Sequence, residues 1–459
     1  DDTINRKCDG RQDRLSKLPD DILLTILERL DICDAARTSI LSRQWRHIPA
    51  MLNKLVIKVS SFEPNKDNRA KITLDDLSRA NATMREATKS ILSGRTHFKQ
   101  YALHLLCLQF YIGDESNSIV QTSEFTILTK KKHAHCTEDD VNFHGKQLMA
   151  LFGVWPNAFG GLTRLNLENI SLNRPDMPLI FSVCKRLEFL RLHSCDMGVL
   201  SPLEVENPQL RELEMDDCRF DTVHLKWLPK LTTVTFRMWI TQQDPLSFSY
   251  VPQLRSLSLI NIGLSWHKML KLSDFLGNVT ITTLQLNFRS EKIWIQPEYP
   301  KELLPVFYKL RLLNLVNISE ECDLNWTLCI LQGAPSLEEL HITVQDHFCE
   351  MMMDEELRTQ YAYSKNKKDV DWEGATFDFK HHKLAVLKIF GFRPDDRYAR
   401  SVIKVAVNLE DVFLFNKLVC EKCKRDVPRA SRYPWKQRFS LRNRITNGTN
   451  SFVAIHFPS

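Results

Sequence analysis

The chain has 459 residues, of which 43% are hydrophobic and 26% charged, and this composition excludes collagen-like and globally disordered proteins. The 62 Lys and Arg residues nearly balance the 56 Asp and Glu residues, so any preference for a polyanion would have to be local. No apolar run approaches the ~18 residues of a membrane span, and the polar start lacks a secretory signal. We therefore expect no membrane contact and a cytoplasmic or nuclear location.

Three short helices are predicted between residues 14 and 52. Pro19 suits the first position of the first helix, which should run to about Leu30. Asp34 can cap a second helix and Ser42 a third, which Pro49 would end. Apolar side chains cover an arc of about 140° on the first helix, wider than one packing seam needs. The residues of this arc are Ile22, Leu23, Ile26, Leu27 and Leu30.

This arc is more apolar surface than a unit of about 40 residues can bury. Two interpretations remain open from the pattern alone. The helices either cap the first repeat of the following domain, whose Leu edge needs covering, or they dock on a second polypeptide.

The sequence LPDDILLTILERL, followed by DAARTSILSRQWR, resembles the plant F-box motif, which would occupy residues 12–52. Departures at Asp31, Ile32 and residues 48–50 leave the motif recognisable. The resemblance implies docking on the SKP-type adaptor of a cullin ubiquitin ligase. Carried over by position, the adaptor-binding residues are Leu18, Pro19, Ile22, Leu23, Ile26, Leu27, Leu41 and Trp45.

A hexad of the form L-x-x-L-x-L, with aliphatic substitutions, recurs ten times after the N-terminal segment. Successive first positions are 21 to 29 residues apart, except for one spacing of 47. They are Leu162, Leu187, Leu210, Leu231, Leu254, Ile281, Leu310, Leu337, Leu384 and Leu409. Looser copies start at Leu52 and Leu103, with helical spacing between them, so residues 53–161 are interpreted as irregular first repeats and a helical connection.

The hexad spacing is that of leucine-rich repeats. Its fourth and sixth positions share one face of a short strand and point inward, and stacked units form a parallel sheet. The predicted fold is therefore α/β, with a small three-helix N-terminal F-box followed by an irregular leucine-rich-repeat solenoid with a curved parallel sheet. Such repeats place Asn or Cys eight positions after the first Leu of the hexad. Here only Cys195 and Cys218 fulfil this rule, so the repeats are irregular.

The repeat domain is predicted over residues 162–380, with the long spacing reflecting an inserted loop at 346–380. The high charge of this loop and its lack of a clear period predict mobility.

Residues 381–459 are predicted to form further repeats and a basic tail. Residues 381 to 415, HHKLAVLKIFGFRPDDRYARSVIKVAVNLEDVFLF, are similar to the FBD segment of plant F-box proteins, and the last 28 residues look like the ending common in grass members.

The basic tail is a separate feature, since residues 417–444 hold ten basic and two acidic residues, a local charge of +8. They lack the aromatic interleaving of nucleic-acid stacking platforms, so a solvated tail is favoured over nucleic-acid binding.

Motifs for catalysis are absent, because the sequence contains no GxSxG, P-loop, HExxH or GxGxxG pattern. We expect a non-catalytic protein without a cofactor. Cys420 and Cys423 form one CxxC pair, and His133, His135 and Cys136 lie close together in the sequence. Because a structural zinc needs four ligands, free thiols and surface imidazoles are the favoured interpretation.

The outward positions of the predicted strands should bind a target, and they change character along the chain. Early repeats place polar residues such as Arg191 and Glu214 there, whereas late repeats place apolar ones. The candidate target-binding residues are Leu312, Val316, Val386, Phe390, Phe413 and Phe415. The competing interpretation is that residues 432–459 fold over this apolar patch.

Together, the F-box and FBD resemblances imply a substrate-receptor subunit of an SCF-type (cullin-RING) E3 ubiquitin ligase. Its expected partners are an SKP-type adaptor, a cullin reached through that adaptor, and an unknown target protein. The alternative is a leucine-rich-repeat interaction scaffold that does not act in a ligase.

Overall fold

The chain divides into two compact units, residues 1–169 with 182–187, and residues 170–181 with 188–459. The computed structural model describes residues 18–27, 29–30, 32–38, 52, 54–62, 79–80, 82–84, 86–87, 105–111, 124–128, 136–154, 159–198, 201–277, 279–346, 349, 351–363, 378–391, 397–415, 435–447 and 453–458. Among the helices of this part, none combines the length and the apolar character that a membrane crossing requires.

The first unit combines N-terminal helices with four parallel strands in the order β1-β2-β3-β4. The described residues between 79 and 87 are helical, in agreement with the predicted spacing. The unit's elements are α1 (Asp20–Leu27), α2 (Ile32–Arg37), β1 (Lys54–Lys58), a 3-10 helix (Val59–Phe62), β2 (Leu105–Tyr111), β3 (Glu124–Leu128), α3 (Glu138–Val154) and β4 (Arg164–Glu168).

Helix α1 begins where the sequence predicts, since Pro19 offers its carbonyl oxygen to the N–H groups of Ile22 and Leu23. It ends at Leu27, three residues earlier than expected. The prediction for Asp34 is wrong, because this residue lies inside α2 and pairs with Arg37 at 2.8 Å instead of capping the helix.

Helix α3 was not predicted, although its start carries a clear signal. Thr137 accepts from the N–H of Asp140 at 3.2 Å, and the Asp140 carboxylate accepts from the N–H of Thr137 at 2.8 Å. This reciprocal pair satisfies two backbone donors at the helix start.

The second unit is a long parallel sheet with the order β5-β7-β9-β11-β12-β13-β14-β15-β16-β17, accompanied by the sheet β10-β8-β6. Helix α4 (Asp176–Val183) precedes it in the chain. The strands are β5 (Phe189–His193), β6 (Leu203–Glu206), β7 (Glu212–Asp216), β8 (Val223–Trp227), β9 (Thr233–Arg237), β10 (Leu246–Tyr250), β11 (Ser256–Ile260), β12 (Thr283–Asn287), β13 (Leu312–Ile318), β14 (Glu339–Val344), β15 (Val386–Phe390), β16 (Asp411–Phe415) and β17 (Ala454–His456). The helices are α5 (Leu272–Leu276), α6 (Pro300–Phe307), α7 (Thr327–Gly333), α8 (Glu355–Gln360), α9 (Tyr398–Val405) and α10 (Trp435–Thr446).

The ten hexads coincide with ten strands, each of which begins two residues after the first Leu-type position. The first, fourth and sixth residues of every hexad are buried, with none more than 4% exposed. In the sheet register, fourth positions face fourth positions, as Leu284 faces Leu313. The predicted α/β fold with parallel repeat strands is therefore confirmed.

Cys195 and Cys218 occupy the buried positions that Asn takes in regular repeats. The Cys218 thiol donates to the carbonyl oxygen of Leu192 at 3.4 Å, and the Cys195 thiol donates to that of His193 at 3.4 Å. Burial raises the pKa of the Cys218 thiol to about 12, so it remains protonated and able to donate. Ile170, Ile262 and Ile318 are buried at the same offset.

A mobile loop was expected over residues 346–380, and residues 351–363 do not match this expectation. This part forms α8, and its Arg358 pairs with Glu291 in the turn after β12. The N–H of Ser265 donates to the carbonyl oxygen of Ala362 at 2.9 Å, which attaches the end of the segment to the turn after β11. The sequence pattern could not show this, because the partners are distant in the chain.

The described residues 435–447 and 453–458 of the C-terminal segment extend the sheet, and His456 among them stacks on Phe413 of the apolar patch. These residues form α10 and β17, and β17 extends the sheet by pairing in parallel with β16. Arg400 donates to the carbonyl oxygen of Asn447 at 2.8 Å, and Arg442 donates to that of Ile455 at 2.8 Å. The segment is thus one further helix and strand of the repeat array.

Candidate functional site

The predicted adaptor-binding residues on α1 separate into exposed and buried groups. Pro19 is exposed and Ile22 is 45% exposed, whereas Leu23 and Leu27 are 0% and 1% exposed. Leu18 and Ile26 are half-buried, and Leu41 and Trp45 lie outside the described residues. Pro19 and Ile22 are therefore available to a partner, while Leu23 and Leu27 hold the helix in place.

The outward strand surface of the second unit consists of the first, third and fifth residues of its long-sheet strands. These alternate with the buried positions and are half-buried or exposed, except Thr343 of β14, which is buried. In a parallel sheet, equivalent positions of neighbouring strands lie side by side, so each row forms a continuous line of side chains.

The early end of this surface is charged. The Glu214 carboxylate pairs with Arg237 and lies 3.9 Å from the Nε of Arg191. Asp216 lies 3.6 Å from the Nδ1 of His193. Burial alone would raise the pKa of Asp216, but the attraction of the nearby His193 and the Arg237 charge hold it below its ordinary value. These charges are largely neutralised by one another.

The middle of the surface carries a second ionic group on β14 and β15. The Glu339 carboxylate lies 2.8 Å from the Nε2 of His341 and 3.4 Å from the Nζ of Lys388. Burial, followed by the charge of Lys388, lowers the pKa of His341, although Glu339 opposes this shift. Lys388 is in register with Phe413, so this group borders the aromatic end.

The late end is an aromatic cluster formed by Phe390, Phe413, Phe415 and His456. The rings of Phe390 and Phe415 are parallel within 9°, with centroids 4.2 Å apart. Those of Phe413 and His456 stack at 4.6 Å and 18°. The Nε2 of His456 lies 2.7 Å from a carboxylate oxygen of Asp411. Parallel stacking across strands fixes the rings in one orientation.

The structure brings together three of the six predicted target-binding residues, Phe390, Phe413 and Phe415, on β15 and β16. Val386 lies in the same sheet but pairs with Glu339 and Asp411. Leu312 and Val316 are on β13, separated from the phenylalanines by β14. All six are half-buried. His456 was missed, because the short strand β17 that carries it has no hexad.

The cysteine and histidine groups of the sequence do not assemble into a metal site within the described residues. No group of three or more His, Cys, Asp or Glu side chains in that part of the chain is arranged to hold a metal ion. Cys136 is half-buried there, and His133, His135, Cys420 and Cys423 lie outside it.

Two family models match the chain. The model described as At1g61320/AtMIF1, LRR domain, matches residues 153–456, and the F-box domain model matches residues 15–56. The first match covers more than half of the chain. An F-box implies binding of an SKP-type adaptor, and leucine-rich repeats imply protein–protein interaction.

Curated relatives carry the same combination of segments. The chain is 26% identical over 297 residues to the F-box/FBD/LRR-repeat protein At1g13570 of Arabidopsis thaliana, covering 60% of this chain and 67% of that protein. It is 22% identical over 444 residues to the putative F-box/FBD/LRR-repeat protein At4g03220 of the same plant, covering 83% and 84%. A 57-residue match to the putative F-box/FBD/LRR-repeat protein At1g22000 of that plant is 49% identical and covers 12% of each chain.

Such relatives are typically non-catalytic adaptors, and the domain combination supports a substrate-adaptor role in SCF complexes in general. The order of elements agrees with this family, since the N-terminal helices precede parallel repeat strands that continue to residue 456. The chain belongs to the plant F-box/FBD/leucine-rich-repeat proteins and carries the At1g61320/AtMIF1 type of LRR domain.

Proposed function

We propose that this chain is the substrate-receptor subunit of an SCF-type (cullin-RING) E3 ubiquitin ligase. The F-box docks on the SKP-type adaptor, and the outward strand surface of the second unit binds a target protein. Catalysis belongs to the associated E2 enzyme. The chain acts by proximity, because tethering raises the effective concentration of a target lysine near the E2 thioester.

The observation that carries this proposal is the uncovered apolar face of α1 within the F-box match. Ile22 on α1 is 45% exposed, and Leu30 just after the helix is 41% exposed, although Leu23 and Leu27 of α1 are fully packed. A helix that packs one apolar face and exposes another has a second face to offer to a partner. The F-box match supports an SKP-type adaptor as that partner.

Co-expression of the chain with an SKP-type adaptor tests the docking step. Ile22→Asp should abolish co-purification of the adaptor, because a carboxylate would be buried in the apolar contact without a partner. Phe143→Asp is the matched control, since Phe143 is 44% exposed on α3 and is not part of the F-box match. Equal adaptor recovery with both variants would refute the proposed docking face.

The aromatic cluster supports a target-binding role for the strand surface. Aromatic side chains dominate binding energy at protein interfaces, and rings already fixed by stacking lose little entropy on binding. We therefore place the target contact at Phe390, Phe413 and Phe415, with the apolar positions Leu312, Val316 and Val386 beside it.

Ubiquitylation of captured proteins in proteasome-inhibited cells tests the target contact. The double variant Phe390→Ala with Phe415→Ala should retain the adaptor but lose most of the ubiquitylated proteins that depend on the intact chain. Tyr250→Ala is the control, because Tyr250 is 51% exposed on the other sheet. An unchanged set of ubiquitylated proteins would exclude this surface.

The alternative function is an interaction scaffold that never enters a ligase. It predicts a stable monomer without the adaptor and no co-purification of the adaptor, so the co-expression experiment separates the two functions. The proposed ligase role also places the protein in the cytoplasm or nucleus, which imaging of a fluorescent fusion would test.

A further inference from the structure

Four large apolar side chains are exposed in the inserted segment and in the loop after β11, and we call them the insertion patch. They are Trp266, Met353, Leu357 and Tyr361, with exposed fractions of 38%, 60%, 37% and 54%. Met and aromatic residues are enriched at protein interfaces, and contiguous exposed apolar surface on a soluble domain marks an interaction site.

The backbone brings these side chains together. Met353 precedes the capping residue Asp354, and Leu357 lies in α8, one helical turn before Tyr361, which directly follows the last residue of the helix. Tyr361 immediately precedes Ala362, whose carbonyl oxygen accepts from the N–H of Ser265 at 2.9 Å. Trp266 follows Ser265, so it lies beside the end of α8. The patch therefore joins the insertion to the loop after β11.

The patch is held in a fixed position before any partner binds. The buried ion pair of Arg358 with Glu291 anchors α8, and Asp354 caps its start by accepting from the N–H of Glu356 at 2.9 Å. A buried ion pair adds little net stability compared with apolar packing, so its main effect here is to set the position of the segment. Preorganisation of this kind lowers the entropic cost of binding.

The charge around the patch is acidic. Asp354, Glu355 and Glu356 are consecutive and exposed, immediately after Met353. Among the described residues 351–363, three are acidic and one, Arg358, is basic, a net charge of −2. This favours an occupant of opposite charge, because complementary rim charges speed association and exclude acidic competitors.

We propose that the insertion patch binds a basic amphipathic helical segment of the target protein. The apolar residues of that segment would lie against Met353, Leu357, Tyr361 and Trp266, and its Lys or Arg residues would face Glu355 and Glu356. This inference rests on the proposed receptor function and adds a second contact, distinct from the aromatic cluster. It assigns the target a recognisable chemical feature.

The test uses the full chain purified with its adaptor and two synthetic probes, a 14-residue Leu/Lys amphipathic peptide and its Leu/Glu counterpart. Fluorescence anisotropy should show binding of the Leu/Lys peptide and at least tenfold weaker binding of the Leu/Glu peptide. The variant Met353→Ser with Tyr361→Ser, and the variant Glu355→Lys with Glu356→Lys, should each weaken Leu/Lys binding about tenfold. Leu304→Ser, at a residue 45% exposed on α6, should leave it unchanged.

Three results would overturn the inference: equal binding of both peptides, no binding of either, or equal effects of the patch variants and the Leu304 control. Concentration-dependent dimerisation lost in the Met353→Ser with Tyr361→Ser variant would assign the patch to a second copy of the chain instead. Adaptor co-purification is measured on the same samples, so failure of the receptor function is distinguished from failure of this inference.

Discussion

The guanidinium of Arg358 donates two hydrogen bonds, of 2.7 and 2.9 Å, to the carboxylate of Glu291, which lies 67 residues earlier in the chain. The side chain of Glu291 is 2% exposed and that of Arg358 is 13% exposed. Arg358 also donates to the carbonyl oxygen of Met352 at 2.9 Å and lies 5.0 Å from the ring centre of Tyr363. One side chain thus contacts Met352 before α8 and Tyr363 after it.

Removal of Arg358 should leave a buried carboxylate without its partner. We expect Arg358→Met to lower the free energy of unfolding by about 3 kcal/mol, since breaking one side of a buried pair has this cost. Adding Glu291→Gln should recover part of the loss, because the unpaired charge is removed. Urea unfolding of the three proteins, with limited proteolysis between residues 351 and 363, measures this. A double variant no more stable than Arg358→Met would contradict it.

The turn after β15 requires glycine. Gly391 has a φ of +77°, and a Cβ at this position would lie 1.9 Å from the carbonyl oxygen of Val344. Gly391→Ala should therefore lower the free energy of unfolding by at least about 2 kcal/mol. Gly153 provides the control, because it is exposed on α3 and a Cβ added there would have no neighbouring atom within 4 Å. Gly153→Ala should stabilise the protein by about 0.5–1 kcal/mol. Chemical unfolding that found Gly391→Ala more stable than Gly153→Ala would show that the turn does not require glycine at position 391.

The repeat strands could be predicted because their signal is local. The burial of Leu284 and Leu313 follows from a hexad that each strand carries by itself, and stacking repeats the same contact. The short strand β17 carries no hexad, so its addition to the sheet, and the stacking of His456 on Phe413, could not be foreseen.

Contacts between segments that are distant in the chain could not be predicted from the sequence, for a different reason. The insertion contains many charged residues, and nothing in the spacing indicates that Arg358 in particular meets Glu291. On α1, helix geometry defined which residues form the apolar arc, but not which of them are buried by other parts of the chain. Whether Ile22 or Leu23 is exposed depends on tertiary packing, which leaves Ile22 at 45% and Leu23 at 0%.

The two faces of α1 should respond differently to truncation. Leu23→Ala should lower the free energy of unfolding by about 3 kcal/mol, because it leaves a cavity in a packed site. Ile22→Ala should change it by less than about 0.5 kcal/mol, since no packed contact is lost. Hydrogen exchange of the α1 amides in the free chain measures both. Equal protection in the two variants would mean that both side chains are packed alike.

His381 connects the last repeats to α7 through both ring nitrogens. The ring is 3% exposed. Its Nδ1 accepts from the N–H of Leu384 at 3.0 Å and must therefore be unprotonated, so the Nε2–H donates to the carbonyl oxygen of Ala334 at 2.9 Å. Burial, with a smaller contribution from the His382 charge, lowers the pKa of His381 below its ordinary value of 6.5, and the bond to Ala334 opposes the shift only in part.

This geometry makes His381 a source of acid sensitivity. Above pH 6.5 the imidazole is neutral in both states, and its two hydrogen bonds stabilise the fold. As the pH falls below that value, the unfolded chain takes up a proton that the folded imidazole does not, so the free energy of unfolding decreases. His381→Asn removes this titration while it also weakens the two bonds. The gap in unfolding free energy between wild type and variant should therefore narrow when urea unfolding is repeated from about pH 7.5 down to about pH 5. A gap of constant size over that interval would show that His381 is not held neutral by the fold.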